Sequence, residues 1–259
     1  MVTGASSGFG EAAALAFARE GCRVVLAARR IDRLEQVASQ IRTSGSEALV
    51  VSLDVSQQSS IDGLADTVIK TFGRVDVLFN NAGFGRLDWL ETQDPEADIT
   101  AQLDVNLKGA ILVVRLFLPH MLRQRSGVII NMSSMAGWIA SPLYSVYAAS
   151  KFGLRGFSEA LRREVRPFGI RVCGIYPAGA ATEFSQHAGD SPLRRKIKTP
   201  AMLRMSAEYV ANKVVGLARH PRRVLVLPWY MGIAIWIDAH FHWLVDAVVG
   251  VAVKKYHHP

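Results

Sequence analysis

Cysteine is almost missing from this chain of 259 residues: there are only Cys22 and Cys173. Both fall in apolar, strand-like runs without neighbours at metal-ligand spacing. That pattern excludes a disulfide framework and a zinc site, and predicts two buried thiols of a reducing compartment. His240, His242, His257 and His258 repeat no ligand spacing either. Acids are short, 22 against 30 lysines and arginines, which leaves a net charge of +8. Such a balance suits nucleic acid, anionic lipid or phosphorylated ligands. However, the basic stretches, Arg194 to Lys198 and Arg162, Arg163 and Arg166, carry no nucleic-acid motif and no interleaved aromatics. They read as solvated faces, and no nucleic-acid partner is expected. The opening Met-Val-Thr-Gly has neither a basic stretch nor an apolar run behind it, so no secretory signal is read and a cytoplasmic location is expected. Half of the residues are apolar, which argues against disorder.

What is present is an alternation of short apolar runs with helical ones. "TGASSGFG" sets Gly4, Gly8 and Gly10 in a tight loop that runs into an alanine-rich helix reaching about Glu20. Glycines let a backbone approach a pyrophosphate, and the helix N-terminus supplies free amides for it. A strand over Cys22 to Ala28 follows, and then a helix over about Asp32 to Thr43. An NAD site places an acid after this second strand, whereas an arginine accommodates the 2′-phosphate of NADP. Here stand Arg29 and Arg30, two cations at a helix N-terminus whose dipole they oppose. NADP(H) is therefore favoured over NAD(H). Further strands are read in "EALVVSLDV", ending at Asp54, and in "VDVLFN", "GVIINMSS", "IRVCGIYP" and "RVLVLP". Helices are read over Ile61 to Phe72, Leu103 to Leu122 and around Tyr147. The prediction is an α/β fold: a single Rossmann-like domain, a doubly wound parallel sheet of about seven strands with helices on both faces. Residues 1–228 would form the catalytic part and residues 229–259 an apolar C-terminal extension. Polar candidates gather at the carboxyl ends of the strands, where ligands of such sheets bind.

Tyr147 and Lys151 stand four apart in a helical run and so share one face. An ammonium beside a phenol favours the phenolate, and such a pair can exchange a proton with a substrate oxygen. An ordinary amphipathic helix would show the same spacing.

Taken together, "TGASSGFG", Asp54-Val55, "NNAG" at 80–83, Asn106 in "LDVNLKG", the serine pair of "INMSS", "YAASK" at 147–151 and Thr182 after Pro177 resemble the short-chain dehydrogenase/reductase family over about residues 1–185. The resemblance implies that Tyr147 is the general acid/base, that Lys151 lowers its pKa and bonds the nicotinamide ribose, that Ser134 holds the substrate oxygen, and that Asn106 positions a water. Ser134 is preferred to Ser133 because thirteen residues separate it from Tyr147, and Ser133 becomes a structural residue. Gly4, Ser6, Ser7, Gly8, Phe9, Gly10, Arg29, Arg30, Asp54, Val55, Asn81, Ala82, Gly83, Pro177, Ala178 and Thr182, with Tyr147 and Lys151, would hold the cofactor. Asp54 would meet the adenine. Asn80 to Gly83 would shape the adenosine side. A homodimer or homotetramer is implied, built on the helices around Leu103–Leu122 and Tyr147–Pro167.

Three features depart from that family. Only Met1 and Val2 precede Thr3 where a first strand is expected, which suggests a start further upstream. Pro177 is followed by Ala178 and only then by Gly179. The stretch 224–253 is dominated by large apolar residues, among them Trp229, Trp236, Phe241 and Trp243, with Asp238, His242 and Asp246 every four residues. An amphipathic helix is expected there. It would lie on a membrane through 229–255 with Lys254 and Lys255 near anionic lipid, cover the substrate, or pack on another subunit. Trp89, Trp138, Phe184 and Met202 would border the pocket and favour a small apolar carbonyl or alcohol, lipid-like in character, while Arg194, Arg195, Lys196 and Lys198 would meet any acidic group on it. The readings left are an NADP(H)-dependent oxidoreductase, a cofactor-binding regulator without turnover, and a membrane-attached interaction protein.

Overall fold

The computed structural model describes residues 1–180 and 200–253. In chain order the main elements are β1 (Val2–Thr3), α1 (Gly8–Arg19), β2 (Val24–Ala28), α2 (Ile31–Thr43), β3 (Ala48–Ser52), α3 (Gln58–Ile61), α4 (Leu64–Phe72) and β4 (Val77–Asn80). Then come α5 (Ala101–Leu103), α6 (Ala110–Gln124), β5 (Gly127–Met132), α7 (Ser145–Val165) and β6 (Ile170–Pro177). The chain continues through β7 (Gly179–Ala180), β8 (Arg204–Met205), α8 (Ala207–Arg219), β9 (Val224–Leu227), α9 (Met231–His240) and α10 (His242–Val253). Seven strands form one parallel sheet in the order β3-β2-β1-β4-β5-β6-β9, and β7 pairs with β8 apart from it.

The sheet is covered on both faces, and the alternation of its strands shows it. Leu26, Ala28, Phe79, Ile130 and Cys173 pack toward α1, α2 and α8, while Val25, Ala27, Leu78, Ile129 and Val172 pack toward α4, α6 and α7. Small residues on α1 (Ala13, Ala14, Ala18) let α8 approach closely with Val210, Ala211 and Val214. On the other face Val113, Val114, Phe117 and Met121 of α6 are fully buried. The registers Thr3 with Ala27, Asn80 with Asn131 and Met132 with Ile175 bring the strand ends to one edge. The chain leaves β1 in one direction for β2 and β3, and β4 lies on the other side, so a crevice opens at that reversal.

Several expectations change. Cys22 is exposed, because β2 starts only at Val24 and the Cys22 amide closes the turn after α1 by donating to the Phe17 carbonyl; Cys173 is buried as expected. The helix read over Ile61 to Phe72 is broken at Gly63, whose φ of +76° is left-handed. The helix read from Leu103 starts at Pro95, where Asp94 Oδ1 accepts from the Glu96 and Ala97 amides at 2.9 and 2.7 Å. It runs to Gln124 with two π-helical turns, Pro95–Thr100 and Asp104–Gly109. The tail is not one amphipathic helix. It is α9 and α10, bent by 109° and dominated by apolar residues, and the bend separates Asp238 from His242 and Asp246.

Candidate active site

Residues after Thr3 turn over the sheet edge into α1, and the turn is closely packed. A Cβ on Gly4 would lie 2.9 Å from Ala82 Cα, and one on Gly10 2.2 Å from the Gly4 carbonyl, so only glycine fits there. Asn81 Nδ2 donates to the Thr3 and Gly4 carbonyls at 3.2 Å, and Thr3 Oγ1 accepts from the Asn81 and Ala82 amides at 3.0 and 3.1 Å. Asn81 and Ala82 thus brace the glycine loop. Asn80 turns inward: its amide donates to Asn131 Oδ1 and the Ala110 carbonyl. Ser7 precedes α1 without a side-chain cap, which leaves the amides of the first turn to an anion.

Arg30 crosses to this loop, donating from Nε to Ser6 Oγ at 3.2 Å and from Nη2 to the Ser6 carbonyl at 3.3 Å. Arg29 is 76% exposed and only 4.0 Å from Asp54. Asp54 Oδ1 accepts from the Ser56 amide and hydroxyl at 3.0 and 2.7 Å. Two cations thus flank the loop beyond β2. The uncapped amides, the loop that a Cβ would fill and the paired arginines together fit a phosphorylated dinucleotide.

The polar set lies across the crevice. Tyr147 sits in the first turn of α7, buried, and shares a side-chain hydrogen bond with Ser134 at the end of β5. Burial pushes the phenol well above its ordinary value, and the Ser134 hydroxyl acts the other way. Lys151 Nζ lies 5.6 Å from the Tyr147 ring centroid and donates to the Met132 carbonyl at 3.0 Å; burial pushes its ammonium down to about 8. Burial therefore outweighs the charge effect predicted for the pair. Ser133 points away, with its hydroxyl donating to the Lys151 carbonyl at 3.3 Å. The chain stays extended at Ser134, with φ −160° and ψ 165°, and extended backbone sends successive side chains to opposite sides, which separates the two serines.

Asn106 is placed by the second π-helical turn. Its Nδ2 donates to the Phe84 carbonyl at 2.7 Å and to Ser150 Oγ at 3.2 Å, and its Oδ1 accepts from the Phe84 amide at 2.9 Å. Ser150, which in turn donates to the Tyr147 carbonyl at 2.7 Å, and the Phe84 backbone escaped sequence reasoning. Only their places inside or beside matched motifs marked them. A Cβ on Gly83 would lie 3.0 Å from Asn106 Oδ1 and 3.3 Å from Lys151 Nζ, so bare backbone faces the pair. Gly109 has no such freedom, since a Cβ there would lie 2.5 Å from the carbonyl of the buried Val55. Pro177 ends β6, and the Ala178 amide donates to the Leu227 carbonyl at 2.8 Å. Trp138 lies under the Arg155 guanidinium, 3.5 Å from its ring centroid, and edge-on to Tyr176. Trp89 packs with Leu87, Leu143 and Tyr144, and Met202 is exposed. Thr182, Phe184 and the basic run 194–198 lie outside the described residues, as do Lys254, Lys255, His257 and His258.

Residues 1–192 match the family model described as short chain dehydrogenase, and the chain belongs to that family. It is an oxidoreductase of the short-chain dehydrogenase/reductase class, acting on CH–OH donors. An uncharacterized oxidoreductase of Staphylococcus saprophyticus is 35% identical over 199 residues, covering 76% of this chain and 80% of its own. An alcohol dehydrogenase of the archaeon Thermococcus sibiricus, solved with 5-hydroxy-NADP, has a TM-score of 0.76 and 30% identity over 87% of this chain and 93% of its own. A short-chain dehydrogenase/reductase of Burkholderia phymatum, solved with NAD, reaches a TM-score of 0.83 at 27% identity over 94% and 93%. A nicotinamide nucleotide is thus the cofactor of this fold.

Proposed function

We propose that the protein interconverts a hydroxyl and a carbonyl on an apolar, lipid-like molecule, with NADP(H) as cofactor. The observation that carries this reading is the hydrogen bond of Ser134 with the buried Tyr147, beside Lys151 and Asn106. When bound, the nicotinamide supplies or accepts the hydride. Ser134 holds the substrate oxygen by its hydroxyl. Tyr147 gives that oxygen a proton on reduction and takes it back on oxidation. Lys151 keeps a positive charge close to the phenol, and Asn106 links the site to Ser150 and the Phe84 backbone. Arg30, held at Ser6, and Arg29 would receive the 2′-phosphate. Exposed Leu103 and Phe152, on the helices expected at a subunit interface, favour a homodimer or homotetramer.

The test is fluorescence titration with NADPH and NADH of the wild type, Arg29→Ala and Arg30→Ala. Arginine–phosphate contacts predict that each variant binds NADPH about tenfold more weakly while NADH is unaffected. Equal losses for both nucleotides would refute the NADP preference. Tyr147→Phe is expected to keep binding but lose about 10²–10⁴-fold in turnover.

A second reading concerns location: a cytoplasmic enzyme that rests on a membrane. It is favoured by the exposed Trp229, Ile233, Trp236, Phe241, Trp243 and Val248 in and beside the C-terminal pair.

A further inference from the structure

The edge of the sheet opposite the crevice carries a second concentration of chemistry. A cleft of about 130 Å³ opens at the start of β6 and β9, with Cys173 in its wall and Arg162, Arg166, Arg171, Arg222 and Arg223 around it. They come from three segments: the end of α7 and the turn after it, the first residues of β6, and the turn before β9. The carboxylate that meets this group is Glu159, which Arg223 reaches at 2.9 Å, Arg163 at 3.6 Å and Arg155 at 3.7 Å. Those arginines hold the Glu159 carboxyl below its ordinary value. Arg162, Arg166, Arg171 and Arg222 have no ion pair among the described residues. The Nε of Arg162 is buried without a hydrogen-bond partner.

Guanidinium groups are fixed charges at any physiological pH, and an anion bound among them would offset their mutual repulsion. Arginines lining one cleft from three segments match the oxygens of a phosphate better than a lone carboxylate, which Glu159 already represents. The size of the cleft suits one such group. We propose that this cleft binds a phosphate group, borne by a soluble ion or monoester or by a lipid headgroup. It is separate from the site for the cofactor and goes beyond the redox reading above.

Isothermal titration of the full chain, saturated with NADPH so that the cofactor's own phosphates are not counted, tests this with three probes. They are orthophosphate, glycerol 3-phosphate, and phosphatidylcholine vesicles with or without phosphatidic acid. The proposal expects saturable binding of at least one probe, weakened tenfold or more in Arg166→Ala/Arg222→Ala. That pair is exposed, so the fold should survive, and unchanged NADPH affinity verifies it. Glu159→Gln, which frees Arg223 from its carboxylate, is expected to tighten binding. Binding of either soluble probe assigns the source to solution, and binding only to vesicles with phosphatidic acid assigns it to lipid. Absence of saturable binding in every arm, or equal binding by the double variant, would overturn the proposal.

Discussion

Lys151 keeps its ammonium where charge is disfavoured: 3% exposed, with the Met132 carbonyl as its hydrogen-bond acceptor. Burial brings it from an ordinary 10.5 to about 8. Between those values the unfolded chain retains a proton that the folded chain has released, so this residue makes stability rise with pH from about 8 toward 10.5. Below that window the folded state bears the desolvated charge. Lys151→Met removes it, and denaturant unfolding without cofactor should find the variant's advantage greatest at pH 7 and much reduced at pH 9.5. A difference independent of pH would show that the charge is already compensated. This pair was legible from sequence because four residues of helix decide it locally. Asn106 and Ser150 meet across 44 positions, and nothing local announces their bond. Arg29 and Arg30 were equally legible as cations. Which of them turns back to Ser6 depends on the dihedral angles at the start of α2, φ −87° and ψ 86° at Arg30, which composition does not encode.

At the scale of elements, the long helix from Pro95 to Gln124 shows how a backbone irregularity serves the site. Its second π-helical turn presents Asn106, and its last residue, Gly109, lies against the Val55 carbonyl. Gly109→Ala would force helix and loop apart, because backbone is the obstacle and cannot rotate away. A loss of about 1–3 kcal/mol by chemical denaturation is expected, together with reduced turnover as Asn106 shifts. Gly156→Ala in α7 is the contrast: nothing lies within 4 Å of the added methyl, so helix propensity alone should act and stabilise by up to about 1 kcal/mol. Equal effects at the two sites would remove the argument from close approach. The seven strands were readable because parallel strands buried on both faces form apolar runs bounded by turns. The π-helical turns were not, since a widened turn keeps helical composition. The start at Pro95 was marked by Asp94-Pro95, a signal masked by the stronger apolar periodicity further on.

For the molecule as a whole, the proposed location rests on the C-terminal pair. Helices of 10 and 12 residues rise only about 15 and 18 Å, each short of the roughly 30 Å hydrocarbon core, and a 109° bend lies between them. On the membrane reading proposed above, such a pair would enter one leaflet. Co-sedimentation with anionic vesicles should therefore persist at high salt and fall in Trp236→Gln/Trp243→Gln. Loss of binding in salt for the wild type would indicate surface charge alone, and dissociation of an oligomer in the variant would make this a subunit interface instead. The tail departed from its predicted form because a four-residue stripe of polar side chains assumes an unbroken helix, and the break at Phe241 ends it. The remaining consequence lies in the catalytic edge itself. Lys151 grips the end of β5 from two sides, by its ammonium on the Met132 carbonyl and by its own carbonyl under the Ser133 hydroxyl. Ser134, just past the strand, and Tyr147 on the helix are thus tied at the same residue, so heat that loosens the surrounding loops should leave their spacing intact, and turnover measured along a thermal melt is expected to be lost together with the fold.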